Sequence, residues 1–123
     1  MQTNNVLVID DERDLLESLQ IVLQMHGFKP FLAENVQKGL DFLAQHPIDI
    51  ILCDVSLPDM SGLEALAKIK SNTTWANIPF VFITAMADKE DIRLGLEAGA
   101  DKYITKPFSS KELILLIKSF ITP

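Results

Sequence analysis

The sequence predicts an α/β fold in which a doubly wound sheet of five parallel strands is covered by helices on both faces. Short apolar runs, such as residues 6–9 and 50–53, are typical of strands that are buried on both faces. Segments with apolar residues at helical spacing lie between these runs, and Asn35 and Gly27 mark a helix start and a helix end. Because a strand–helix unit repeated five times favours a parallel sheet with right-handed crossovers, the pattern indicates a (βα)5 three-layer sandwich.

The composition indicates a single globular domain that spans residues 1–123. Hydrophobic residues make up 48% of the chain and charged residues 23%, which is ordinary for a domain with one apolar core. The formal net charge of −6 argues against direct binding of nucleic acid, since neutralising phosphates requires clustered Lys and Arg. The lone cysteine, Cys53, excludes an internal disulfide bond and a multi-cysteine zinc site.

The sequence carries no signal for membrane insertion or secretion. No apolar run approaches the ~18 residues that a membrane span requires. The first residues lack a basic region followed by an apolar stretch, which is the pattern of a secretory signal. We therefore expect a cytoplasmic domain that does not bind membranes. Whether it acts alone or within a longer chain stays open at this point.

The predicted elements follow one another with short connections. The strand at residues 28–33 is more polar than the others and is interrupted by Pro30, which favours an edge position in the sheet. Ser109 or Ser110 is predicted to cap the last helix, with Glu112 within reach of a capping box. In chain order we predict strand 6–9, helix 12–26, strand 28–33, helix 36–45, strand 50–53, helix 62–71, strand 79–84, helix 88–98, strand 102–105 and a last helix that includes residues 112–121.

Polar side chains stand at the ends of four predicted strands. Asp10 and Asp11 follow the first strand, Asp54 follows the third, Thr84 ends the fourth and Lys106 follows the fifth. Because the carboxyl ends of parallel strands meet at one edge of a sheet, where ligands bind, we expect these side chains to lie together. Carboxylates without Cys or His suit Mg²⁺. A lysine and a hydroxyl beside them would bind phosphoryl oxygens, which leaves Asp54 as a nucleophile for phosphorus.

Five stretches in this order carry a family resemblance that covers nearly the whole chain. They are VLVIDDE, IILCDVSLPDMSG, FITA, GLEAGADKYITKPF and the helix that follows. Together they resemble the receiver domain of the response regulators of two-component signalling. The resemblance implies the CheY-like, flavodoxin-like form of the (βα)5 sandwich. It also implies a phosphoacceptor switch that is not an enzyme, apart from Mg²⁺-dependent phosphorylation and dephosphorylation of its own side chain.

The resemblance implies a role for the acidic residues of the predicted site. Asp54 matches the phosphoacceptor. Asp10 and Asp11 match the acid pair that places Mg²⁺, with Asp54 as a further ligand. The backbone carbonyl of Ser56 matches the remaining protein ligand of the ion.

The same resemblance implies roles for the residues that sense the phosphoryl group. Thr84 matches the hydroxyl that moves onto this group, and Lys106 matches the lysine that binds it. The bond between Lys106 and Pro107 is expected to be cis, a conformation that is accessible before proline. Tyr103 matches the aromatic residue that swings inward when the threonine moves, although an ordinary strand tyrosine remains the alternative.

The resemblance also implies partners. A histidine kinase or a histidine phosphotransfer protein would supply the phosphoryl group to Asp54. Helix 4, strand 5 and helix 5 would then repack into a different surface for a downstream protein or output domain, or for a phosphorylation-dependent homodimer. In physical terms the phosphoryl group biases a pre-existing two-state equilibrium, and hydrolysis resets it. The sequence does not identify the kinase, the pathway, the output or the phosphoryl lifetime.

Three other classes of function are weighed against this one. A Mg²⁺-dependent phosphohydrolase would typically have a second acid two residues after its nucleophile, where this chain has Ser56. A flavin or nucleotide carrier is disfavoured because no Gly-x-Gly pattern follows a strand. A receiver-like domain that binds partners without phosphorylation is disfavoured because every expected site residue is present.

The last helix suggests one feature that the motifs do not supply. A helical wheel over residues 112–121 predicts that Leu115 points away from the core, with Ile114 at the edge of the buried face. A single exposed leucine is also normal on a protein surface. We hypothesise that Leu115 belongs to a partner or dimer patch on the output face. The residues expected to face inward are Leu113, Leu116, Ile117 and Phe120.

Overall fold

The computed structural model describes residues 4–122 and contains the five strands and five helices that the sequence predicts. All strand pairs are parallel. None of the helices in residues 4–122 is both long and apolar enough to cross a membrane. In chain order the elements are β1 (Asn5–Ile9), α1 (Arg13–Met25), β2 (Lys29–Ala33), α2 (Val36–Gln45), β3 (Ile50–Cys53), α3 (Gly62–Lys70), β4 (Phe80–Thr84), α4 (Lys89–Glu97), β5 (Lys102–Thr105) and α5 (Ser110–Lys118).

The strand order is β2-β1-β3-β4-β5, which is a doubly wound sheet. This order confirms the predicted fold class and places β2 at an edge, as its polar sequence and Pro30 indicate. Ile9 pairs with Cys53 and Thr84 pairs with Thr105, so β1, β3, β4 and β5 end at a common edge of the sheet. We call this the carboxyl edge of the sheet.

Two apolar layers cover the two faces of the sheet. Helices α1 and α5 pack on one face, and α2 and α3 pack on the other. Cys53 is fully buried, and this burial raises the pKa of its thiol well above the ordinary value, so that it serves as a small core residue. The largest fully buried side chains are Phe80, Phe82, Leu7, Ile9, Leu23, Ile50, Ile51, Leu52, Leu66, Ile69, Ile83 and Leu113.

Side-chain caps fix where the helices begin. Asn35 accepts a hydrogen bond from the backbone N–H of Lys38 at 2.8 Å, which confirms the predicted start of α2. Ser109 accepts a hydrogen bond from the backbone N–H of Glu112 at 3.0 Å and is therefore the cap of α5, rather than Ser110. The chain leaves α1 through Gly27, whose φ of 84° favours glycine.

The buried faces of α1 and α5 differ in part from helical spacing, which predicts Leu15, Leu19, Val22, Leu23 and His26 on one face of α1 and gives the wheel described above for α5. Leu16 is buried in α1 whereas its neighbour Leu15 is half-buried. In α5 the predicted edge residue Ile114 is 5% exposed, and the predicted inward residue Leu116 is half-buried. Ile114 belongs to the same buried cluster as Leu16, Leu19 and Leu23 of α1, so the buried face of α5 extends to Ile114.

Leu115 is 60% exposed, as the wheel predicts. Together with Ile114 and Lys118 it lines a groove that also includes His26 at the end of α1. Leu115 therefore borders the side of α5 that faces α1. The hypothesis that it contacts a partner on the output face stays a prediction.

Candidate functional site

Asp54 directly follows β3 at the carboxyl edge and is only 6% exposed. Its backbone N–H donates to the carbonyl of Ile9 at 2.9 Å, so the β1–β3 ladder continues up to this residue. Asp54 Oδ1 accepts a hydrogen bond from the backbone N–H of Ser56 at 3.1 Å. Asp54 Oδ2 lies 3.0 Å from Lys106 Nζ. The backbone of Asp54 is thus fixed by β1, and its two carboxylate oxygens are fixed by the β3–α3 loop and by the residue after β5.

Asp10 directly follows β1 and its side chain is fully buried. Asp10 Oδ1 accepts a hydrogen bond from the backbone N–H of Glu12 at 2.9 Å, and Asp10 Oδ2 accepts one from Lys106 Nζ at 2.7 Å. Burial raises the pKa of Asp10 above its ordinary value, although the hydrogen bonds from Lys106 and Glu12 oppose this shift. A buried carboxylate of this kind requires a cation beside it.

Lys106 directly follows β5 and supplies that cation. Its Nζ contacts three carboxylates, at 2.7 Å from Asp10, 2.8 Å from Glu12 and 3.0 Å from Asp54. Burial acts to lower the pKa of Lys106, but these three carboxylates outweigh it and hold the pKa above the ordinary lysine value. The peptide bond between Lys106 and Pro107 is cis. Lys106 is therefore a permanent positive charge at the centre of the acidic group.

The structure groups the acids somewhat differently from the sequence prediction. Oxygen atoms of Asp10, Glu12 and Asp54 all lie within 4.8 Å of one another, which makes them a possible cation site. Asp11 is exposed and is not in this group. Glu12 is the residue that sequence reasoning left out of the site. Its signal was present in the run of three acids at positions 10–12, of which Glu12 is the last.

Thr84 and Tyr103 both contact the backbone of Met86. Thr84 is 1% exposed at the end of β4, and its Oγ1 accepts a hydrogen bond from the backbone N–H of Met86 at 3.3 Å. The hydroxyl of Tyr103 donates to the carbonyl of Met86 at 2.6 Å. Burial, followed by the charges of Asp91 and Asp54, raises the pKa of Tyr103, so its phenol stays protonated as a donor. The β4–α4 connection thus links the predicted hydroxyl to the predicted aromatic residue.

The β3–α3 loop is held at both ends. The backbone N–H of Gly62 donates to the carbonyl of Val55 at 2.7 Å. Asp59 accepts hydrogen bonds from the backbone N–H groups of Val36 and Gln37, both at 3.0 Å, and so caps α2. Desolvation acts to raise the pKa of the exposed Asp59, but these hydrogen bonds outweigh it and hold the pKa below its usual range.

Comparison with known proteins identifies the family to which this chain belongs. A model of the response regulator receiver domain matches residues 6–118. The chain is 41% identical over 114 residues to the phosphate regulon transcriptional regulatory protein PhoB of Escherichia coli K12. It is 36% identical over 116 residues to the transcriptional regulatory protein KdpE of Mycobacterium tuberculosis H37Rv. These matches cover 93% and 94% of this chain but 50% of each relative, so the chain spans about half the length of the curated relatives it matches.

Solved structures show the same fold. A CheY-like response regulator receiver domain protein from Methanospirillum hungatei JF-1 superposes with a TM-score of 0.88 at 30% identity, covering 96% of this chain and 93% of that one. The chemotaxis response regulator CheY4 of Vibrio cholerae gives a TM-score of 0.90 at 22% identity, covering 98% of this chain and 100% of that one, and supports the fold alone.

The parallel sheet, with buried carboxylates and a lysine at its carboxyl edge, places the chain in the class of doubly wound α/β domains with a charged site at that edge. This chain belongs to the response regulator receiver domain family of two-component signalling. Accepting a phosphoryl group is the general role of that family, which confirms the fold, the family and the phosphoacceptor function predicted from the sequence.

Proposed function

We propose that Asp54 is the side chain that accepts the phosphoryl group, from the phosphohistidine of a histidine kinase or of a histidine phosphotransfer protein. The observation that carries the proposal is the position of Lys106 Nζ, which lies 3.0 Å from Asp54 Oδ2 and 2.7 Å from Asp10 Oδ2. In the transfer, a carboxylate oxygen of Asp54 forms a bond to phosphorus. The bond between phosphorus and the histidine nitrogen breaks, and its electron pair stays on the imidazole.

Mg²⁺ is the cofactor in this proposal, held by Asp10, Asp11, Asp54 and the backbone carbonyl of Ser56. The donors fit the ion because all of them are carboxylate or carbonyl oxygens, without Cys or His. Carboxylate oxygens of Asp10 and Asp54 lie within 4.8 Å of each other. When bound, the ion supplies positive charge against the phosphoryl oxygens. Asp11 is next to Asp10 in the chain. Its side chain is exposed, so its carboxylate is accessible to a hydrated ion.

Lys106 and Thr84 bind the phosphoryl oxygens in this account. Because three carboxylates keep the pKa of Lys106 above its ordinary value, its ammonium stays charged and neutralises negative charge on the transferred group. The Thr84 hydroxyl accepts from Met86 N–H here, which leaves its own proton available for donation to a phosphoryl oxygen. Both residues therefore gain contacts that exist only in the phosphorylated state.

The output follows from these new contacts. Movement of Thr84 toward the phosphoryl group changes its hydrogen bond to Met86, whose carbonyl accepts from Tyr103. We propose that α4, β5 and α5 then adopt a different packing that a downstream protein, an output domain or a second copy of the chain recognises. The phosphoryl group biases an equilibrium between two existing packings and need not create a new packing. Leu94 and Leu96 of α4 are each 43% exposed.

The role proposed here is that of a switch and not of an enzyme acting on other molecules. Ser56, two residues after Asp54, has no carboxyl group to serve as the general acid of a phosphohydrolase. The site is instead suited to transfer onto Asp54 and to later hydrolysis of the acyl phosphate. A module that binds partners without phosphorylation would have no need of a lysine among three carboxylates.

An intact-mass time course with a small phosphodonor tests the proposal. We expect the wild type to gain one phosphoryl group only when Mg²⁺ is present and to lose it over time. Asp54→Ala should form no adduct. Asp41→Ala is the matched control, because Asp41 is an exposed carboxylate on α2 that bonds only Gln37 among the hydrogen bonds described for residues 4–122.

Two results would contradict the proposal. A wild type that forms no adduct would favour the phosphorylation-independent interaction module. An adduct that persists in Asp54→Ala would place the phosphoryl group on another side chain.

A further inference from the structure

Helix α4 packs on the sheet through a glycine. Among the nine residues of α4, all of which the structure describes, Gly95 alone is buried. A Cβ at position 95 would lie 2.9 Å from both Cδ2 and Cε2 of Tyr103 and 3.2 Å from Cδ2 of Phe82. Contacts this short are closer than ordinary van der Waals separation. Glycine at this position is therefore what allows α4 to lie directly on the two aromatic rings.

The two aromatic rings beneath α4 differ in their freedom to move: Phe82 is fixed and Tyr103 is adjustable. Phe82 and Tyr103 are opposite each other in the β4–β5 register, with ring centroids 5.8 Å apart. Phe82 is fully buried and packs edge-on against Phe80 at 5.1 Å between centroids. Tyr103 is half-buried, and its outer end is held by the hydroxyl bond to Met86. A side chain at position 95 would thus displace the ring of Tyr103 or lift α4, and not move Phe82.

The backbone around Tyr103 is anchored, so the ring and α4 are the parts that can move. The backbone N–H of Asp101 donates to the carbonyl of Phe80 at 2.8 Å, and the carboxylate of Asp101 accepts from the N–H of Phe80 at 2.8 Å. This pair of bonds ties the start of β5 to the start of β4. Between α4 and β5 the chain turns at Gly99, whose φ is 115° and beside which a Cβ would meet no atom within 4 Å.

We propose that Gly95 is a positioning residue for the Tyr103 ring, and that this ring in turn positions α4. The missing side chain leaves the space in which the ring lies with its hydroxyl on Met86. When the ring leaves this space, α4 loses the contact made by its one buried residue and shifts on the sheet. The link to signalling rests on the proposed function of Asp54, whereas the steric link between Gly95 and Tyr103 does not depend on phosphorylation.

A double-mutant cycle tests the steric link through the sign of a change in melting temperature. Alanine is a better helix former than glycine, so Gly95→Ala should raise the melting temperature wherever the added methyl group has room. With Tyr103 present we expect the opposite sign, because the methyl group conflicts with the ring. In the Tyr103→Ala background the two contacts at 2.9 Å are gone, and a small shift of α4 into the vacated space relieves the remaining 3.2 Å approach to Phe82, so Gly95→Ala should raise the melting temperature.

A spectroscopic readout follows the ring itself. Tyr103 is the single tyrosine of the chain, so protein labelled with 3-fluorotyrosine gives one ¹⁹F resonance for it. We expect Gly95→Ala to shift or split this resonance. Gly39→Ala is the matched control, because a Cβ there would lie 2.6 Å from the end of the Ile9 side chain, and the three atoms nearest to it belong to Ile9 and Ala33 and not to Tyr103. A phosphodonor with Mg²⁺ should move the wild-type resonance toward its position in Gly95→Ala.

Several outcomes would overturn the inference. These are a Gly95→Ala effect of the same sign in both backgrounds, a Tyr103 resonance that Gly95→Ala leaves in place, or a shift of equal size in Gly39→Ala. If Gly95→Ala fails to fold by itself but folds with Tyr103→Ala, the steric link is supported, and failure in both backgrounds contradicts it. Intact masses of the same samples separate the two proposals, since a wild type without an adduct contradicts the role of Asp54 while the cycle still decides the role of Gly95.

Discussion

Gly62, the first residue of α3, lies against the backbone carbonyl of Asp54. A Cβ at position 62 would be 2.2 Å from the Asp54 oxygen and 2.8 Å from Cα of Val55. Because both neighbours are backbone atoms, they cannot move aside as the end of a side chain can. The start of α3 and the candidate phosphoacceptor therefore occupy positions that only a glycine at 62 makes compatible.

We predict that Gly62→Ala destabilises the fold by about 1–3 kcal/mol, the usual cost of overpacking, and slows phosphorylation. The stability loss is measured by urea denaturation and the rate by the intact-mass time course. Gly39→Ala serves as the control, since its added Cβ meets side-chain atoms of Ile9. It should change stability without changing the rate. Equal rates in wild type and Gly62→Ala would show that the loop adapts without moving Asp54.

Sequence patterns predict which residues meet at the carboxyl edge of the sheet, because each of these residues ends or directly follows a strand. Asp54 and Lys106 are 52 positions apart, yet each directly follows a strand of one parallel sheet. The strand order then brings them to the same edge, where their side chains meet at 3.0 Å. The prediction needed only the strand ends and the general rule that such ends converge.

Side-chain choices within the site are not predictable in the same way. Asp11 and Glu12 are adjacent acids, and which of them turns toward Lys106 depends on the backbone after β1 and not on the pattern of residue types. The contact between Gly95 and Tyr103 depends on how far α4 approaches the sheet. The hydrogen bond from the N–H of Val36 to Asp59 joins the start of α2 to the β3–α3 loop through a single carboxylate. Each of these contacts is set by tertiary packing.

Lys106→Met should destabilise the protein in a manner that depends on pH. This change leaves the fully buried Asp10 without its cation, and an unpaired buried charge costs about 3 kcal/mol. Burial already raises the pKa of Asp10, and removal of Lys106 raises it further. An acid whose pKa is higher in the folded than in the unfolded state destabilises the fold increasingly as pH rises through that interval.

The loss caused by Lys106→Met is therefore expected to be larger at pH 7 than at pH 4, as measured by urea denaturation. Lys102→Met, at an exposed lysine that begins β5, is the control and should show no such trend. A loss of equal size at both pH values would mean that Asp10 is not the charge left unpaired.

Asp59→Ala should remove the cap that the β3–α3 loop places on α2. Loss of such a cap costs about 1 kcal/mol at neutral pH. The hydrogen bonds from Val36 and Gln37 lower the pKa of Asp59 in the folded state. A lowered pKa gives a stabilisation that is present above the unfolded value of about 3.9 and is lost as pH falls through the folded value.

The difference in unfolding free energy between the wild type and Asp59→Ala should therefore shrink in acid. Urea denaturation at pH 7 and at a pH below the ordinary aspartate pKa of about 3.9 measures this difference. Asp41→Ala, in the middle of α2, is the control. A difference that persists unchanged in acid would assign the stabilisation to packing of the side chain and not to its charge.

Paired variants decide which acid beside Asp10 takes part in Mg²⁺ binding. Asp11→Asn should weaken binding by about tenfold, which corresponds to about 1.4 kcal/mol. Glu12→Gln should have a smaller effect, because the carboxylate of Glu12 is 59% exposed and is paired with Lys106 at 2.8 Å. Calorimetric titration of each variant with Mg²⁺ measures both effects, and a larger loss in Glu12→Gln would assign the ligand to the acid that lies in the cluster.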